Sequence, residues 1–107
     1  MTAGATESTV DTSGAIPGAA TTVANTLVVA AIATSLPDSV STTNFSAWAN
    51  GDLTSVTEQT DNTGTSGNGG GLGVATGVKA TAGTYGSTAV TCATATTKAM
   101  LSLAIKP

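Results

Sequence analysis

Apolar residues in this chain alternate with small or polar ones in short runs of period two. Successive side chains of a strand point to opposite faces, so each such run predicts a strand with one face for a core. The clearest run is Leu72, Val74, Thr76, Val78 and Ala80, interleaved with Gly73, Ala75, Gly77 and Lys79; its bulkier side is expected to face the core. Ala99, Leu101, Leu103 and Ile105 alternate in the same way with Met100, Ser102, Ala104 and Lys106. The run from Thr26 to Thr34, TLVVAAIAT, is apolar on both faces, which predicts a central strand covered on both sides. Helix competes there, because Ala favours it. The flanking Thr residues, the Val pair and the stop at Pro37 decide for strand.

Punctuation divides the remainder. Residues 1–20 read as an extended arm or weak edge strand, with a turn at Pro17-Gly18. Residues 21–107 read as a single domain. Residues 35–45 form a polar loop, and Phe45 to Ala49 a short strand. Asn50-Gly51-Asp52 is a turn of the hairpin kind. Leu53 to Thr60 is a mostly polar strand at or near an edge, followed by a glycine-rich loop over 61–71. Residues 81–86 turn the chain, 87–94 form the next strand, and Ala95-Thr96-Thr97 link it to the last one. About six short strands with no convincing helix define an all-β fold, an antiparallel β-sandwich of jelly-roll-like arrangement.

Composition narrows the chemistry. The chain has 107 residues, one Phe, one Trp, one Tyr and two Met, so its large apolar supply is thin. Such a core is marginal alone, which points to help from neighbouring chains or from a missing part of the same domain. Six carboxylates face three lysines, with no arginine and no histidine. There is no imidazole base and no bidentate clamp for phosphate, so an enzyme is not expected and neither is a cofactor. Lys79, Lys98 and Lys106 are scattered, which disfavours nucleic acid and anionic membrane surfaces as partners. The run 27–33 is far shorter than the ~20 residues a membrane-crossing helix needs. The N-terminus lacks the basic and apolar regions of a secretory signal.

From about Ile16 to Pro107 the chain resembles β-sandwich domains of bacteriophage and prophage structural proteins. The resemblance is carried by the Thr-Thr-Val-Ala-Asn-Thr-Leu-Val-Val-Ala-Ala run and the Trp-containing short strand. Gly69-Gly70-Gly71-Leu72-Gly73-Val74-Ala75, the Gly-Thr-Tyr-Gly turn and the closing Leu103-Ala104-Ile105-Lys106-Pro107 complete it. It implies a virion structural role, as capsid decoration or as a tail or fibre component. The expected partners are identical subunits and other virion proteins, in a sandwich completed where necessary by a neighbouring chain.

Other features are weaker pointers. Gly64 to Gly71 lacks the Lys-Ser/Thr of a phosphate loop and precedes a strand, so a connecting loop is the better reading. Asp52, Glu58, Asp61 and Asn62 match no calcium-loop spacing and read as solvated loop groups. Cys92 reads as a small buried hydrophobe, and Trp48 as a core plug with its N–H satisfied. The threonines follow no ice-binding repeat. The sequon at Asn44-Phe45-Ser46 reads as incidental. An alternative function is a carbohydrate-binding or host-adhesion module, in which Asn50, Asn68 and a more exposed Tyr85 contact a host-surface glycan.

Overall fold

A computed structural model describes residues 2–36, 43–64 and 69–107. Eight strands occur among them: β1 (Thr2–Ile16), β2 (Ala19–Thr21), β3 (Thr26–Thr34), β4 (Phe45–Ala49), β5 (Thr54–Thr63), β6 (Gly71–Lys79), β7 (Gly83–Tyr85) and β8 (Thr88–Ile105). All pairings are antiparallel. The larger sheet runs β1-β8-β3-β6-β5, with β4 added alongside β8, and β2 pairs with β7 in a separate ribbon. The fold is the all-β antiparallel sandwich expected, with strands of very unequal length.

β8 explains that inequality. Residues 87–94 and the final strand were expected to be separate, joined by a linker at 95–97, but β8 is continuous through Ala95-Thr96-Thr97. Thr is a good strand former, so this segment reads as a linker only by its lack of bulk. The first part of β8 pairs with β4 and with Ser13–Ile16 of β1. Its last part pairs with β3 and with Thr2–Glu7 of β1. Val90, Cys92 and Met100 of this one strand pack in a single cluster with Ile16, Ala30, Ile32 and Phe45, so the strand folds over to join both layers. Each large side chain buried there contributes about 1.5–3 kcal/mol. β1 turns the same corner through register shifts between Glu7 and Ser13, and its last residue, Ile16, is fully buried. Residues 2–16 are therefore an integral edge strand, anchored in the core at one end.

The expected hairpin at Asn50-Gly51-Asp52 is corrected. The turn exists, closed by Leu53 N–H donating to Asn50 O at 3.3 Å, but it carries the chain from β4, bonded to β8, to β5, bonded to β6. β4 bends at Ala47, which holds a left-handed φ of 53° where its register with β8 shifts. β5 is the second edge of the sheet, as its polarity predicted, and carries two register shifts of its own. Bulges of this kind blunt an edge against unwanted pairing.

The face assignment of β6 is also corrected. Gly71, Gly73, Ala75 and Gly77 face inward, while Leu72, Val74, Thr76 and Val78 face out. The covering layer sits directly on the β6 backbone: a Cβ on Gly73 would meet the Phe45 ring, and one on Gly77 would meet Leu53 and Val56. Bulk on the other layer fills the space that β6 leaves.

Candidate functional site: an uncharged sheet face

The charged side chains come first, because the fold uses them. Lys98 is 4% exposed, and its Nζ donates to Asp11 Oδ1 at 2.7 Å and lies 3.5 Å from Glu7 Oε2, tying β1 to β8 at the corner. Burial works to lower the Lys98 pKa, but the hydrogen bond with Asp11 and the field of Glu7 outweigh it and hold the ammonium above its ordinary value. Asp11 is held below the usual carboxylate range by Lys98 and by the Ser13 N–H.

Of the carboxylates read as solvated loop groups, Asp52 and Glu58 are exposed and Asp61 is half-buried, and all three also serve as structural ties. Asp61 Oδ2 accepts the backbone N–H groups of Asn44 and Phe45 at 2.8 and 2.9 Å, fixing the start of β4 against β5. Asp52 Oδ2 accepts the Gly86 N–H at 2.8 Å. Glu58 Oε2 accepts the Trp48 indole N–H at 2.6 Å. Trp48 is half-buried against the main cluster, tilted 49° to Phe45, with its N–H satisfied as expected. A backbone tie needs only one acid near an orphan amide, and no sequence spacing announces it. Among the described residues no group of three or more His, Cys, Asp or Glu could hold a metal. Cys92 is buried as expected, and burial pushes its thiol pKa up, which keeps it protonated.

Of the three loop positions singled out for ligand contact, Asn50 and Tyr85 are both engaged within the fold. The Asn50 amide donates to Gly86 O and Thr88 Oγ1, each at 3.0 Å, and its Oδ1 accepts the Asp52 N–H. Asn68 lies outside the described residues. Tyr85 was expected to be exposed and is corrected to 3% exposure: its ring packs with Val28 and Leu53, and its hydroxyl lies 3.4 Å from Ser102 Oγ. The β2–β7 ribbon lays Tyr85 over the inner layer, a placement its glycine-rich neighbourhood conceals.

The feature that stands out is the outer face of the larger sheet. On β3 the outward residues are Leu27, Val29, Ala31 and Ala33. Beside them in register stand Ile105, Leu103, Leu101 and Ala99 of β8. On the other flank stand Val78, Thr76, Val74 and Leu72 of β6. Eleven of these twelve positions are apolar, and the exception, Thr76, has its Oγ1 hydrogen-bonded by Gln59 at 2.9 Å. The flanking strands continue the face with Thr2, Gly4 and Thr6 of β1 and with Thr57, Thr60 and Asn62 of β5, so among the described residues it carries no charged side chain. Leu72 and Leu101 are 47% and 48% exposed. Between them lies a shallow trough of about 260 Å³ over Ala31, Ala33 and Ala99. The two-faced strand expected to be covered on both sides is thus central, but the described chain covers only its inner face.

Among known proteins, the chain matches no family model, no curated protein and no solved structure. No helix among the described residues is long and apolar enough to cross a membrane.

Proposed function

We propose that this chain is a non-enzymatic structural protein of a bacteriophage virion, working as capsid decoration or as a tail or fibre component. Its role is to be packed against other subunits, and its place is the assembled particle. The observation that carries this reading is the uncharged outer face, where Leu27, Leu72, Leu101 and Ile105 stand between 39% and 48% exposed. A monomer rarely leaves a contiguous apolar patch of this extent in water. The virion setting is proposed from the resemblance read in the sequence of residues 16–107 alone. The carbohydrate-binding alternative loses its ring and one amide, since Tyr85 is buried and Asn50 is committed to Gly86 and Thr88.

Native mass, measured by size exclusion with light scattering over a dilution series, tests the proposal. A discrete dimer or larger assembly persisting at micromolar concentration is the expected result. A monomer at every concentration would overturn it.

A further inference from the structure

Resting on that reading, we infer that the outer face of the larger sheet is occupied by the same face of a second copy, the two sheets packing face to face.

Three observations favour a second copy over another partner. The first is area. Eighteen outward positions, each taking about 4.8 by 6.8 Å of sheet, give a face on the order of 600 Å². Two such faces bury about 1,200 Å², the lower end of the range of specific protein–protein interfaces. The second is charge. The chain carries a net charge of −3, yet none of the charged groups among the described residues stands on this face, so two copies meet there without like-charge contact between them. A charged partner would find nothing to pair with. A lipid surface would find neither a lysine nor an aromatic ring on the face. The third is shape. Leu72 and Leu101 stand as ridges on either side of the alanine-floored trough. Each copy therefore brings both the knobs and the groove that an isologous contact requires. Sheets stacked this way sit about 10 Å apart with strands within about 30° of alignment.

The test is Leu101→Lys, with Leu72→Lys as an independent second variant, each compared with wild type by native mass and circular dichroism. Both side chains are half-exposed in one copy, so the fold tolerates the substitution. The expected result is a folded protein whose dimer dissociates at least tenfold more readily. A wild-type assembly whose mass neither variant changes would overturn this occupant while leaving the assembly reading intact. A wild type that is monomeric in solution would overturn both. So would a monomer that sediments with neutral phosphatidylcholine vesicles, by assigning the face to lipid.

Discussion

The ring of Phe45 lies where Gly73 would carry a side chain: a Cβ built on that glycine would sit 2.7 Å from Cδ2 of the ring. This contact sets the face of β6. With Gly73 against the ring, period two sends Leu72 and Val74 outward, and the apolar outer surface follows.

Gly73→Ala should therefore destabilise the protein by about 1–3 kcal/mol through overpacking. Urea denaturation would show a lower midpoint with an unchanged slope. Combining it with Phe45→Leu should cost less than the sum of the two single changes, because both act on one contact.

The Lys98–Asp11 pair predicts a definite pH dependence. Asp11 is held below its ordinary 3.8, so its contribution is present above that value and is lost as pH falls through the lowered pKa. Lys98 is held above its ordinary 10.5, so its contribution is full below that value and is lost as pH rises through the raised pKa. Thermal melts between pH 2 and 5 should show an acid limb that is shallower in Lys98→Met than in wild type. Equal limbs would remove the pair from the account of how β1 is held.

Trp48 is the only tryptophan, so its emission reports one site. Glu58→Ala removes the acceptor of the indole N–H. Emission should shift to longer wavelength and acrylamide quenching should rise. Stability should change by no more than about 1 kcal/mol, because the bond is exposed.

Ala47 holds a φ of 53°, which an L side chain rarely adopts. Ala47→Gly should raise the urea midpoint, corresponding to a gain of about 0.5–1 kcal/mol. The same change at Ala49, across the bulge, should have the opposite sign.

Much of this fold is legible in the sequence, and what is not has specific causes. β3 and β4 match their expected spans, because Pro and Asn-Gly punctuation marks one end of each. β6 was located correctly, yet its faces were inverted. Period two separates two faces without saying which meets the core, and here the glycine face does, because Phe45 and Leu53 supply the bulk from the opposite layer. The break expected in β8 fell where the strand crosses the corner between layers. There Lys98 meets Glu7 and Asp11 from more than eighty positions away, a distance no local pattern encodes. The open face was half visible: a strand apolar on both sides signals that two covers are needed, and only the structure shows that the described chain supplies one.

The most direct test of the central claim is the accessibility of that face in solution. Ala31→Cys places a thiol at its centre, while the native Cys92 is 1% exposed and silent. Its rate of labelling by a thiol reagent should be slow at high protein concentration and should rise severalfold on dilution through the dissociation range. A fast rate that is the same at every concentration would mean that the face stands open in solution, and would contradict the account.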